Sequence, residues 1–282
     1  IPLSLSILSL TATAVSAADP VPASVPRFDS GTISGLPARN IGSAAMSGRI
    51  SALAVNVANG QHTIFVGAAS GGVWKSVDGG TRFKPVFDRE AVQSIGAITL
   101  DPQNPQNVWV GTGESWTRNS VSVGNGVYRS TDGGESWQYL GLPNSERIAK
   151  ILVHPNDSNT AYVCVPGKLW SDSADRGLYK TTDGGASWQH ILKGVNLSTG
   201  CSGISFDPSN AERLMVGTWD FRRRGWTFRS GGEGPESRSG SALYVTEDGG
   251  KNFRALTADN APGLPKGPWG RIEVEYAPSD AS

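Results

Sequence analysis

Four stretches of this 282-residue chain repeat one short text: Lys75-Ser-Val-Asp-Gly-Gly-Thr-Arg-Phe83, Arg129-Ser-Thr-Asp-Gly-Gly-Glu-Ser-Trp137, Lys180-Thr-Thr-Asp-Gly-Gly-Ala-Ser-Trp188 and Val245-Thr-Glu-Asp-Gly-Gly-Lys-Asn-Phe253. Each follows a short apolar run with an aromatic residue: Gly72-Val-Trp74, Gly126-Val-Tyr128, Gly177-Leu-Tyr179 and Ala242-Leu-Tyr244. Asp-Gly-Gly between two apolar segments supplies residues that tolerate positive φ, so each copy predicts a strand, a tight turn and a second strand. The carboxylates of Asp78, Asp132, Asp183 and Asp248 are expected to accept hydrogen bonds from the amides of their own turns. That makes them scaffold, with the aromatic residue three places after the second glycine packed over the turn.

A second element recurs upstream of each copy. Ile50–Asn56 precedes Thr63–Gly67, Ile95–Asp101 precedes Asn107–Gly111, Ile148–His154 precedes Thr160–Cys164, and Cys201–Asp207 precedes Arg213–Gly217. Turns such as Asp101-Pro-Gln-Asn104, His154-Pro-Asn-Asp157 and Asp207-Pro-Ser-Asn210 join the members of three of these pairs. The unit is therefore four antiparallel strands, repeated about every 50 to 65 residues, which is the signature of propeller blades. A solenoid needs shorter coils, and a sandwich does not repeat itself. The expected fold is all-β, a β-propeller with blades at about 49–90, 94–142, 147–193 and 200–257. A fifth begins at 270, where Gly270-Arg-Ile-Glu-Val-Glu-Tyr276 restates the first strand. Four blades and a start are read as part of a larger ring.

Composition narrows the function classes. Lys plus Arg number 25 and Asp plus Glu number 25, so no general affinity for nucleic acid is expected. Residues 1–18 form an uncharged apolar run ending in Ser16-Ala-Ala18. They read as a signal peptide without its start, too short and too rich in Ser and Thr to span a bilayer, and predict an exported protein. Residues 19–41 read as a leader segment and 42–282 as the propeller. Export permits one disulfide between the two cysteines, Cys164 and Cys201, without requiring it. His62, His154 and His190 lie far apart and His154 replaces a turn aspartate, so no metal is expected. Ser230-Gly-Gly-Glu-Gly234 lacks the Lys-Ser/Thr of a phosphate loop, so no nucleotide or other cofactor is expected either.

The motif Ser/Thr-x-Asp-Gly-Gly-x-x-Trp/Phe resembles the Asp-box, or bacterial neuraminidase repeat, over about residues 42–280. That repeat occurs in sialidases, xyloglucanases, photosystem II assembly factors and sortilin-type receptors. Ile41–Ile50, Val66–Lys75, Gly111-Thr-Gly-Glu-Ser115, Trp219–Arg224 and Trp226-Thr-Phe228 are similar to exported bacterial proteins of sortilin N-terminal-like or glycosyl-hydrolase-like type. The resemblance implies the propeller strongly and a function weakly. Sialidase chemistry is disfavoured, because the Arg-Ile-Pro element is matched only by Pro26-Arg27 and Arg49-Ile50. Propeller xyloglucanases, which invert with two separated carboxylates, carry one of them in a segment resembling Thr-Asp-Ile-Gly-Gly. Here that segment reads Ala68-Ala-Ser-Gly-Gly72, with Ala69 in the place of the aspartate.

In a four-stranded blade the Asp-Gly-Gly turns join strands three and four, so loops joining strands two and three emerge on the opposite face. Those loops are expected at Glu114–Asn125, Pro166–Arg176 and Thr218–Ser239. They carry Trp116, Arg118, Trp170, Trp219, Arg222, Arg223, Arg224 and Trp226, which we read as a ligand surface of indole platforms and forked donors. Packing of the long loop, with its arginines paired to Glu233 and Glu236, is the competing reading. Glu114 and Asp220 are the weak catalytic candidates. The leading expectation is recognition of a polysaccharide, or a peptide or protein, on this face or in the channel. The alternative is a glycoside hydrolase, xyloglucanase-like, with carboxylates partly outside this stretch, and a protein-assembly factor is the third reading.

Overall fold

The computed structural model describes residues 49–232 and 239–277. The chain divides into two units, Ile1–Arg39 and Asn40–Ser282. The expected signal peptide and leader lie outside the described residues, as do Glu233 and Glu236.

Alternating apolar segments and tight turns fold into four antiparallel sheets of consecutive strands. The first holds β1 (Ile50–Ala58), β2 (Gln61–Ala68), β3 (Gly72–Ser76) and β4 (Lys84–Pro85). The second holds β5 (Ile95–Leu100), β6 (Val108–Thr112), β7 (Val127–Ser130) and β8 (Gln138–Tyr139). The third holds β9 (Lys150–His154), β10 (Asp157–Val165), β11 (Gly177–Thr181) and β12 (Gln189–Lys193). The fourth holds β13 (Thr199–Asp207), β14 (Asn210–Arg224), β16 (Leu243–Thr246) and β17 (Arg254–Leu256), with β15 (Thr227–Ser230) folded back on the far end of β14. These are the blades of a β-propeller.

The Asp-Gly-Gly turns are built alike. Ser76 Oγ donates to Asp78 Oδ1 at 2.8 Å and accepts the Gly80 amide at 2.9 Å, while Asp78 Oδ1 accepts the Arg82 amide at 2.9 Å. The same set recurs around Asp132, Asp183 and Asp248. Gly79 and Gly80 stand at φ 71° and 95°, the left-handed region that a Cβ disfavours. Among the other turns, Asp101 Oδ1 accepts the Gln103 amide at 2.8 Å and Asp207 Oδ1 the Ser209 amide at 2.8 Å. His154 does the same with Nδ1, accepting from the Asn156 amide at 3.2 Å.

The sheets stack face on face, and the core lies between them. Phe65, Val73 and Phe87 of the first pack with Ile95, Val108, Val110 and Tyr128 of the second. Trp109 and Val127 meet Ile148, Ile151 and Val163 of the third, and Tyr162 and Leu178 meet Ile204, Leu214 and Val216 of the fourth. One close approach repeats. A Cβ on Gly67 would stand 2.6 Å from the Ile95 side chain, and one on Gly111 2.4 Å from that of Ile148. Glycine at this place in the second strand lets the next sheet seat its isoleucine. Between the third and fourth sheets the same two positions hold Cys164 and Cys201, joined as a disulfide with Cα atoms 5.0 Å apart. A Cβ on Gly217 would stand 2.8 Å from Ile272 O and 2.9 Å from the Ile272 side chain, which thus occupies the corresponding slot on the fourth sheet although residues 271–276 pair as no strand.

Hydrogen bonds cross the same interfaces. Trp137 Nε1 donates to Val86 O and Trp188 Nε1 to Leu140 O, both at 2.7 Å, so each indole beyond a glycine turn clasps the preceding sheet. Phe253, the matching residue of the fourth sheet, packs apolarly against the cluster of Tyr162, Leu178 and Ile204, and its side chain has no N–H to give.

Candidate functional site

Because β-strands two and three of every sheet are joined on the face away from the Asp-Gly-Gly turns, the three excursions leave on one side. They also touch. Val121 of the first and Leu169 of the second pack with Trp219 and Phe221 of the third in one apolar cluster. The third excursion differs from expectation. Thr218–Arg224 is not a loop but the continuation of β14, and β15 pairs with it from Arg224↔Thr227 to Phe221↔Ser230. Alternating bulk explains it: Trp219, Phe221 and Arg223 share one face of the strand, as a period of two requires. That alternation was the available signal.

The strand divides the arginines that looked adjacent. Arg222 turns to Asp172 of the neighbouring excursion and is ion-paired there. Arg223 lies over the Phe228 ring at 5.7 Å, and its amide donates to Leu169 O at 2.9 Å. Alternation places Arg224 on the Arg222 face. Asp172 thus offsets the charge of Arg222, and alternation turns Arg223 away from its two neighbours.

Trp219 is 4 % exposed, so it does not offer a platform. Its ring stacks on Phe221 at 4.3 Å and its Nε1 donates to Ser230 Oγ at 2.7 Å. Exposed instead are Trp116 at 59 %, Trp170 at 50 % and Trp226 at 94 %, the last at the tip of the β14–β15 hairpin. Arg271 lies 4.5 Å over the Trp116 ring and 5.6 Å from that of Trp219, joining two of the excursions.

Both candidate acids are buried and held in ion pairs. Glu114 is fully buried and ion-paired with Arg49, with Arg118 at 3.9 Å. Asp220 accepts from Ser198 Oγ at 2.7 Å, Asn196 Nδ2 at 2.9 Å, the Gly240 amide at 3.1 Å and Arg229 at 3.0 Å. Burial pushes the Asp220 carboxyl up, but the Asn196, Ser198 and Gly240 hydrogen bonds and the Arg229 charge outweigh it and hold it below the usual carboxylate range. These bonds tie the hairpin to the sheet. Ala69, where the xyloglucanase pattern has its aspartate, is fully buried.

Two arginines escaped the sequence reading. Arg147 and Arg176 are both 1 % exposed. Arg147 donates to Gly167 O at 2.9 Å and Glu114 O at 3.2 Å, and Arg176 donates to Pro166 O at 2.8 Å and to Lys168 O. Together they hold the root of the second excursion. Burial, with Arg222 and Arg147 close by, lowers the Arg176 guanidinium to about 9, and its plane lies 4.5 Å over Phe221. Nothing in the sequence distinguishes these two arginines, because their role depends on carbonyls brought in by folding.

Fold and rim together define a β-propeller with an aromatic and arginine-bearing face. The family model described as Sortilin, neurotensin receptor 3, matches residues 71–216 and 125–264, and the chain belongs to this Sortilin-Vps10 family. Among similar proteins, the oligoxyloglucan-reducing end-specific xyloglucanase of Emericella nidulans is 27 % identical over 253 residues, covering 78 % of this chain and 28 % of that one. A xyloglucanase of Hypocrea jecorina is 32 % identical over 160 residues, 45 % of this chain and 18 % of its own. The vacuolar protein sorting/targeting protein 10 of Debaryomyces hansenii is 26 % identical over 165 residues, 57 % and 9 % respectively. The crystal structure of an ancestral GH74 enzyme superposes with a TM-score of 0.59 at 21 % identity, over 86 % of this chain and 29 % of that one. The chain spans less than a third of the length of these relatives.

Proposed function

We infer that this chain holds a polysaccharide of glucan type across the rim formed by its three excursions, as part of a glycoside-hydrolase-like protein. The observation that carries the reading is the shared cluster of Val121, Leu169, Trp219 and Phe221. It gathers excursions from three blades and leaves Trp116, Trp170 and Trp226 exposed on that face. Flat indoles match the apolar faces of sugar rings, and the xyloglucanase relatives point to the same ligand class rather than to a peptide. The disulfide between Cys164 and Cys201 supports an exported setting, where such bonds persist. Apolar Leu53, Val55 and Val57 exposed on the first sheet, and Ile272 in the interblade slot of the fourth, support a larger ring.

Hydrolysis by the whole protein is the second reading, favoured by the same relatives. On that reading the proton-transferring carboxylates are neither Glu114 nor Asp220, both locked in ion pairs, and this chain contributes substrate holding. Calorimetry with xyloglucan oligosaccharides should show binding that Trp226→Ala weakens roughly tenfold, the scale of a lost stacking contact with its desolvated surface, with no change in melting temperature. Unaltered affinity in Trp226→Ala, Trp116→Ala and Trp170→Ala would refute the rim. Reducing-end release that survives Glu114→Gln and Asp220→Asn distinguishes the hydrolase reading from binding alone.

A further inference from the structure

Residues 271–276 pair as no strand, yet they are fixed beside β13 and β14 of the fourth blade. Ile272 fills the slot over Gly217, Ser202 Oγ donates to Ile272 O at 2.6 Å, and the Tyr276 amide donates to Ser205 Oγ at 3.0 Å. Lys150 of the third blade adds an ion pair with Glu275 at 2.6 Å. This anchoring sets the place of Arg271.

The Arg271 side chain is a meeting point for two excursions that start on different blades. Its Nη1 donates to Ser115 O at 3.4 Å, across 156 residues of sequence. Its guanidinium lies 4.5 Å over the Trp116 ring and 5.6 Å over that of Trp219. Glu273 holds the remaining edge, with Nε donating to Glu273 Oε1 at 2.9 Å and Nη2 to the same oxygen at 2.5 Å. A guanidinium tied to a carboxylate and a carbonyl, with two rings beside it, keeps little rotamer freedom. A cation this close to an indole is attracted to the ring face, so the fixed group fixes the ring in turn.

That matters for Trp116 because it stays exposed although Arg271 covers one of its faces. An exposed ring that must stop moving when a ligand stacks on it loses affinity to that ordering. A ring already held does not. Among the described residues no cation lies over the Trp170 or Trp226 ring, so Trp116 is the exposed indole treated in this way.

We propose that Arg271 is a positioning residue for the rim: it covers one face of Trp116, holds the ring still, and leaves the opposite face as the one on which a sugar stacks. A platform on the second blade is thereby set by a residue that lies beyond the fourth. The sugar-stacking part rests on the rim reading, whereas the immobilised ring does not.

The test combines NMR of the unliganded full chain with calorimetry on xyloglucan oligosaccharides. The indole N–H signal that disappears in Trp116→Phe belongs to Trp116. Its order parameter should lie near the rigid value of about 0.85 and fall below about 0.6 in Arg271→Met, which keeps side-chain length but neither charge nor donors. Glu273→Gln, which leaves the guanidinium with a weaker anchor, should give an intermediate value, and melting temperatures separate loss of the clamp from loss of the fold. Arg271→Met should weaken oligosaccharide binding about fivefold, the scale of one partly exposed cation–π contact, and should have no effect in the Trp116→Ala background. A Trp116 signal equally rigid in Arg271→Met, binding indifferent to Trp116→Ala, or an affinity loss of equal size with and without Trp116 would overturn the proposal. Absence of oligosaccharide binding in the unsubstituted chain would sink the rim, and the NMR comparison alone would then decide whether Arg271 fixes the ring.

Discussion

At the scale of single residues, the turn aspartates make the protein's acid limit legible. Hydrogen bonds from the hydroxyl and amide of Ser136 and from the Ser130 hydroxyl lower the Asp132 carboxyl to about 2, and those from Ser187 and Thr181 do the same for Asp183. Their folded-state pKa is depressed, so the stability they supply is complete above the unfolded value near 4 and disappears as pH falls through about 2. The contribution of these two aspartates should therefore be level between pH 7 and 5 and fall away below 4. Asp132→Asn combined with Asp183→Asn should lower the denaturation midpoint at pH 7 and flatten its acid limb. An acid limb unchanged by the double substitution would remove these turns from the explanation. Solvent around these exposed groups screens the effect, so its direction is the test.

At the scale of elements, the disulfide stands where the other interfaces use shape. Gly67 with Ile95, and Gly111 with Ile148, achieve by a missing Cβ what Cys164 and Cys201 achieve covalently. Reducing the bond, which spans 37 residues of sequence, should cost about 2–4 kcal/mol in denaturant titrations. Cys164→Gly with Cys201→Ile should recover part of that loss and make stability indifferent to reductant, whereas Cys164→Ala with Cys201→Ala should not. Equal stabilities of the two pairs would show that the interface does not read the glycine and isoleucine shape. The four hairpins were legible because Asp-Gly-Gly admits few other backbones, and the blades because their strands repeat. The β14–β15 hairpin was not, because its arginine run and unusual length masked the alternation of Trp219, Phe221 and Arg223. The candidate site was legible as a set of loops but not residue by residue. Trp219 and Trp226 have the same side chain, and only packing against Phe221 buries one of them.

At the scale of the molecule, the sheet cores lie between neighbouring blades and the rim cluster of Val121, Leu169, Trp219 and Phe221 adds contacts across non-adjacent ones, so away from the rim stability should be approximately a sum of interface contributions. The tryptophan clasps separate these contributions. Trp137 bridges to Val86 of the first sheet region and Trp188 to Leu140 of the second, with no partner in common. Trp137→Phe keeps most of the apolar ring and strands one part-buried carbonyl, a loss of about 1 kcal/mol. Trp188→Phe should cost about the same, and the double substitution about the sum, because sites without shared partners add. Urea titrations of the two single variants and the double variant measure this. A double-variant loss well above the sum would mean that the first and second interfaces open together. The sheet between the two clasps would then transmit disorder from one face to the other, and a rim assembled from three blades would be set by the whole stack rather than by its own cluster.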